Sequence, residues 1–320
     1  MKAICIEKDF ENSAVKDVDE PIRLPHQDIL NVKAVGICQS DIARVFSQSA
    51  YYYPIILGHE FSGSVKFDKE VKTTVYPIIP CGKCEECKKE NYAQCKSYSY
   101  YGSRQSGGMQ ERLAVNTWNL IPSKVLDYEE LALIEPSAVA MNAFNKVPND
   151  SNATLINGCG FIALVMAQIL LANGKTVYIR NRNQEKLKFA LDNFDLHVYT
   201  NQPVDCVIDF VSNSASMNFI AENINSHGTI IAVGNPSNEV TIDKANYSKI
   251  LRKELDIKGI WNSRRSDWYD VMGLIADGKV DVKKLITHRY EYTDFKKAFE
   301  KIMQNQMNYN ELVIKSMILF

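Results

Sequence analysis

The sequence predicts an α/β chain of two parts: an irregular β domain that carries the candidate chemistry, followed by a doubly wound parallel sheet. Three observations point there. The 320 residues exceed the size of a usual single domain. Apolar and polar positions alternate through the first 35 or so residues. Beyond Pro148-Asn149-Asp150, short apolar strands alternate with helical segments, the order that builds parallel βαβ units.

In the first part, Lys2 to Ile6 and Ile29 to Val35 alternate as half-buried strands do. Gly36-Ile37-Cys38-Gln39-Ser40-Asp41 follows, where Ser40-Asp41 is expected to cap a short helix carrying Ile42, Val45 and Phe46. Tyr51-Tyr52-Tyr53-Pro54 then leads to Gly58-His59-Glu60. Cys38, His59 and Glu60 supply one thiol, one imidazole and one carboxylate, a ligand set that suits a catalytic zinc.

Next comes Cys81-x2-Cys84-x2-Cys87-x7-Cys95, among charged residues with too little apolar material to fold alone. Four thiolates at those spacings can close a tetrahedral structural zinc site; an iron–sulfur cluster or surface thiols are the alternatives. Leu113-Ala114-Val115 reads as a strand and Asp127 to Phe144 as helical. Glu135, set between Leu131-Ala132-Leu133-Ile134 and Pro136, would be costly to bury without a cation or donors, which makes it a candidate fourth group at the catalytic metal.

In the second part, strand Thr154 to Asn157 runs into Gly158-Cys159-Gly160-Phe161-Ile162-Ala163 and an apolar helix from Leu164. This Gly-x-Gly-x-x-Ala turn fits a dinucleotide pyrophosphate at a helix start. At the end of the following strand, a carboxylate would accept hydrogen bonds from the ribose of NAD. Arg180-Asn181-Arg182 stands there instead, which favours the 2′-phosphate of NADP(H). Later strands span Val204 to Phe210, Thr229 to Val233 ending at Gly234, and Ile257 to Ile260. Lys249 to Glu254 opens a basic helix-like segment, and Trp261 to Trp268 reads as a polar loop whose Arg264 and Arg265 could hold a phosphate. A helix from Asp294 to Met303 and a strand near Glu311 to Lys315 return to the first domain. The expected division is 1–148 completed by 288–320, with the zinc lobe at 81–95, and 149–287 for the cofactor domain.

An apolar fraction of 46% and a formal charge of -1 describe a globular chain without a field to gather nucleic acid or an anionic membrane. No apolar run reaches the roughly 18–20 residues of a membrane span, and the start has no signal-peptide core. A cytoplasmic location and small-molecule partners are expected. Four of the eight cysteines crowd into one short segment, which in a reducing compartment points to metal.

Together Gly36-x-Cys38-x-Ser40-Asp41, Gly58-His59-Glu60, the four-cysteine lobe, Glu135-Pro136 and the glycine turn occur in the order found in zinc-containing medium-chain alcohol and polyol dehydrogenases, which the whole chain resembles. It is most similar to the polyol-phosphate dehydrogenases of the galactitol-phosphate kind, through Tyr52-Tyr53-Pro54-Ile55, Leu57 to Gly63, Gly102-Ser103-Arg104 before Gly107-Gly108, and Ile250 to Leu255. The resemblance implies a GroES-like β-barrel catalytic domain and a Rossmann domain. It implies two zinc ions per chain and a homodimer or homotetramer. Cys38, His59 and Glu60 would hold the catalytic zinc, with Glu135 as an alternating or water-mediated ligand; Ser40 would relay the proton and Asp41 would orient His59.

Three departures stand out. The chain is shorter than the family pattern between Gly63 and Cys81, Ala163 replaces the third glycine, and the acid expected at Asn181 is missing. The last resembles NADPH-dependent ketose-phosphate reductases that supply pentitol phosphates for surface polymers, as does Gly259 to Asp270. The expected activity is reversible hydride transfer between NADP(H) and a ketose phosphate/polyol phosphate pair, of the ribulose 5-phosphate to ribitol 5-phosphate type. Arg44, Arg104, Arg264 or Arg265 would hold the phosphate. A dehydrogenase of an unphosphorylated polyol or secondary alcohol, or an idle binding member of the fold, is the alternative.

Overall fold

The structure is a computed structural model that describes residues 1–66, 70–308 and 311–320. Residues 67–69, within the stretch where the chain is shorter than the family pattern, lie outside the described residues. The chain divides into two units, one of Met1–Pro136, Arg264–Ala276 and Val282–Phe320, the other of Ser137–Ser263 and Asp277–Asp281.

The first unit is organised on a seven-stranded sheet. Its spatial order is Ile286–Glu291, Lys315–Leu319, Gln27–Gly36, Glu60–Lys66, Glu70–Val75 and Leu120–Pro122, with Arg112–Asn116 pairing the first half of Gln27–Gly36. Alternation places Leu30 and Val32 inward with Phe61 and Val65, a register shift between Val32 and Ala34 brings Val35 to the same core, and Phe10, Phe295 and Phe299 close it. Two pairings position the site. Gly36 lies opposite Glu60 and Val35 opposite Phe61 in an antiparallel pair, so the segments just beyond, 37–38 and 58–59, emerge side by side. Met317 lies opposite Gly36 on the other flank, which runs Lys315 along the same end of the sheet.

The last strand therefore starts where the sequence reading ends it. Glu311 to Lys315 was the expected span; pairing begins with Lys315 opposite Ile286 and continues to Leu319. The helix after Cys38 spans Gln39–Phe46, and its start is capped differently from expectation. Cys38 is the cap residue and Asp41 reaches back from the third helical position, its Oδ2 accepting the Cys38 N–H at 3.1 Å. The expected polar loop at 261–268 is corrected too: a helix runs over Arg265–Ala276 and buries Trp268, Val271 and Ile275. Those three residues have the i, i+3, i+7 spacing of a helix face, masked in the sequence by the surrounding charge. Trp268 packs edge-on against Tyr76, ring centroids 5.3 Å apart.

The second unit holds a six-stranded, all-parallel sheet in the order His197–Val198, Thr176–Arg180, Ala153–Asn157, Cys206–Asp209, Thr229–Ala232, Asp256–Gly259. The order reverses between Ala153–Asn157 and Cys206–Asp209, the switch point at which doubly wound sheets bind ligands. Helix Phe161–Ala172 is apolar on all sides except at Gln168, and every residue from Ala163 to Leu170 is buried.

Phe299 is fully buried, with its ring 5.9 Å from that of Phe10. Phe299→Ala is expected to destabilise the first unit by about 3–5 kcal/mol, read as an earlier urea transition in that unit's tyrosine and tryptophan fluorescence.

Candidate active site and metal centres

The Cys38, His59 and Glu60 donor atoms all lie within 4.8 Å of one another, with His59 and Glu60 buried. The spacing follows from the strand register described above, and glycine is required for it: a Cβ at Gly36 would collide with Glu60 Oε2. His59 Nδ1 lies 3.4 Å from Asp41 Oδ1, short of hydrogen-bond geometry. Burial pushes the His59 pKa down, yet the Asp41 carboxylate and the neighbouring Cys38 outweigh it and hold the imidazole well above its usual range. Asp41, fully buried, goes the other way: burial raises it, but His59, Arg44 and the Cys38 N–H together hold it below the usual carboxylate range. A soft thiolate, an imidazole and a carboxylate converging where water is excluded are a donor set for zinc.

Glu135 is buried nearby but outside that three-residue cluster. Tyr100 Oη donates to its Oε1 at 3.1 Å, and burial, with Glu60 adding repulsion, pushes its pKa up to about 7.

The second centre is the lobe. Cys81, Cys84, Cys87 and Cys95 place their sulfurs within 4.8 Å of one another, and all are free thiols. Zn–S bonds in a tetrahedron set sulfur–sulfur separations near roughly 3.8 Å; Cys84 and Cys87 lie 3.4 Å apart and Cys81 and Cys87 3.9 Å. The thiols are driven apart in acidity, Cys81 down to about 6 by the Lys83 and Cys84 amides and Cys87 up to about 12 by burial beside Cys84. A divalent cation removes that conflict by stabilising all four thiolates.

In the second unit, Gly158 has φ +118, open to glycine alone in practice, and Gly160 begins helix Phe161–Ala172 without a side-chain cap. A Cβ on Gly160 would meet nothing within 4 Å. This bare helix start is the room a pyrophosphate needs.

Two family models match the chain, the alcohol dehydrogenase GroES-like domain over residues 25–125 and the zinc-binding dehydrogenase domain over 160–277. The chain belongs to the zinc-containing medium-chain alcohol and polyol dehydrogenases. It is 29% identical to galactitol 1-phosphate 5-dehydrogenase of Escherichia coli K12, covering 94% of this chain and 99% of that one. It is 28% identical to L-galactonate-5-dehydrogenase of the same strain, covering 95% of each. The crystal structure of galactitol-1-phosphate dehydrogenase from Escherichia coli superposes with a TM-score of 0.89 at 26% identity over 100% of both chains. Among the described residues of this dehydrogenase, no helix is long and apolar enough to cross a membrane.

The arginines singled out in the sequence have separate surroundings in the dehydrogenase. Arg44 Nη1 donates to Ser40 Oγ at 2.8 Å. Arg104 is half-buried against Tyr98 and Tyr51, its Cζ 4.1 and 5.1 Å from their ring centroids. Arg265 stacks on Trp118 at 4.6 Å and donates to its carbonyl, while Arg264 is exposed. At the cofactor strand, Arg180 lies across the Phe219 ring at 3.4 Å with Nη1 buried. Arg182 is exposed, and Asn181 Nδ2 donates to Asn183 O at 2.9 Å. Gly234 follows strand Thr229–Ala232 and donates to Asp209 O at 3.1 Å.

Sequence reasoning missed three contributors. Lys315, 5% exposed, forms a buried ion pair with Glu60 Oε2 and donates to Ile37 O at 3.1 Å; its signal was one lysine inside Val313 to Ile318. Tyr100, which donates to Glu135, belongs to no motif in the sequence. Asp209, fully buried, accepts from Asn157 Nδ2 at 2.8 Å and from the Val211 and Ser212 amides, tying the glycine-turn strand to the next turn.

Cys87→Ser is expected to release one zinc per chain and lower the melting temperature, read by metal analysis and calorimetry. Lys315→Met leaves the Glu60 carboxylate buried without its partner. A loss of about 3–5 kcal/mol is expected, with part of it recovered in the Lys315→Met/Glu60→Gln double variant, as read by urea unfolding with the catalytic metal removed.

Proposed function

We propose that this dehydrogenase reduces C2 of a ketose phosphate with NADPH, giving a polyol phosphate of the pentitol type. Cys38, His59 and Glu60, with Glu135 beside them, would hold a zinc ion that would supply a Lewis acid for the carbonyl oxygen, and a bound nicotinamide would supply hydride. Cys38 and His59 anchor the metal and Asp41 braces His59 from behind. Ser40, in the helix that begins beside Cys38, gives its proton to the carbonyl oxygen.

The observation that carries the cofactor choice is the end of strand Thr176–Arg180, where Asn181 stands in place of an acid and Arg182 is exposed beside it. Arg180, stacked on Phe219, adds positive charge from beneath rather than a free fork at the surface. The phosphate part of the reading is supported by the relative that acts on galactitol 1-phosphate; Arg104 already donates to Tyr98 O and Tyr51 Oη, which leaves the exposed Arg264 as the candidate to hold the phosphate. A reductive direction and a role in making surface-polymer precursors accord with NADPH use. A dimer or tetramer in the cytoplasm is part of the same reading. A second reading, an unphosphorylated polyol or sugar acid as substrate, is favoured by the relative that acts on L-galactonate.

An NADPH-oxidation screen over ketose phosphates, with each sugar run beside its phosphorylated form, is expected to show the phosphate ester turned over faster; equal rates on ribulose and ribulose 5-phosphate remove the phosphate reading. Arg182→Ala is expected to raise the Michaelis constant for NADPH about 10-fold or more, from loss of a charge-assisted contact, and to leave that for NADH nearly unchanged. Cys38→Ser is expected to abolish turnover with the fold retained by circular dichroism.

A further inference from the structure

Helix Gln39–Phe46 puts Ser40, Asp41 and Arg44 on one face, because residues three and four apart are neighbours. The Arg44 side chain is only 17% exposed. One of its nitrogens, Nη1, donates to Ser40 Oγ at 2.8 Å and lies 3.4 Å from Asp41 Oδ1. The same Asp41 oxygen lies 3.4 Å from His59 Nδ1. A single guanidinium nitrogen and a single carboxylate oxygen thus join the serine, the buried aspartate and the metal-site histidine. The last helical turn that carries Arg44 is itself pinned. The Tyr53 hydroxyl donates to Arg44 O at 2.5 Å and accepts from Ala50 N at 3.3 Å, so a carbonyl near the helix end is satisfied by a side chain.

We propose that Arg44 is a positioning residue for proton transfer, aiming the Ser40 hydroxyl, rather than a ligand of the substrate's phosphate. A guanidinium has donors and no acceptor and stays charged. By taking one lone pair of Ser40 Oγ, it leaves the hydroxyl's single proton to point away from Arg44. It also places a fixed positive charge beside an oxygen that becomes more negative as its proton leaves. In the reduction, the ketone carbon gains hydride from the reduced cofactor while the C=O π pair passes to oxygen. Ser40 gives that oxygen its proton, and a solvent proton restores the hydroxyl. Arg44 neither gains nor loses a proton.

This inference rests on the dehydrogenase reading with Ser40 as proton donor, and it is independent of whether the substrate bears a phosphate. The test uses the zinc-loaded full chain with its better nicotinamide cofactor and the ketone it reduces fastest, phosphorylated or not. A wild type that prefers an unphosphorylated ketone overturns the phosphate reading alone, and the comparison then runs on that ketone. Arg44→Met is expected to lower kcat by about 10- to 100-fold, with the ketone Michaelis constant within about twofold of wild type, the scale of a neutral truncation off the binding surface. The solvent deuterium isotope effect on kcat is expected to rise. Arg44→Lys, which keeps a cationic donor, is expected to recover part of kcat. A loss confined to the Michaelis constant of phosphorylated substrates overturns the proposal in favour of phosphate binding. An unchanged isotope effect, or a Met variant that loses zinc or melts early with the Lys variant no better, overturns it in favour of a structural role.

Discussion

Everything at the candidate catalytic centre depends on one constraint: ionisable side chains are driven out of water by an antiparallel register and then have to be compensated. Gly36 opposite Glu60, and Met317 opposite Gly36, bring three strand ends together. Cys38, His59, Glu60 and Lys315 meet there because the chain has nowhere else to put them. A buried charge without a partner is costly enough to change protonation or unfold the site. Lys315 answers for Glu60, Asp41 stands behind His59, and Tyr100 supports Glu135. A thiol and an imidazole remain with a carboxylate edge, and a divalent cation is the group that suits all three.

The lobe applies the same logic at the surface. Its segment has almost no apolar content of its own, and its four sulfurs, with their opposing acidities, form a donor set that an ion rather than a core would hold together. In the second unit the compensation is peptide dipole rather than metal. Gly160 leaves a helix start uncapped, and Asn181 leaves a strand end without an acid, so an anion is welcomed at the first and not repelled at the second.

Much of this was legible in the sequence because the signals are local. Cys81 to Cys95 spells a ligand spacing, Gly158 to Ala163 spells a turn, and the βα alternation after residue 150 spells a parallel sheet. The misreadings share a cause. The start of Arg265–Ala276 reads as a loop in the sequence because charges hide Trp268, Val271 and Ile275, whose helical face gains its meaning only against Tyr76. The last strand was placed a few residues early because its start is set by pairing with Ile286, a partner far away in sequence.

The sequence alone determined which chemistries are available: soft and hard metal donors, a pyrophosphate turn, an absent ribose acid. These depend on residue type and short spacing, which the chain cannot hide. Tertiary structure decided how the donors are shared. It gave Glu60 to Lys315, Arg180 to Phe219, Arg265 to Trp118 and Arg44 to Ser40. An arginine in a sequence is only a cation with reach, and the partner it takes depends on which acceptors and rings folding brings within about 3–6 Å of it.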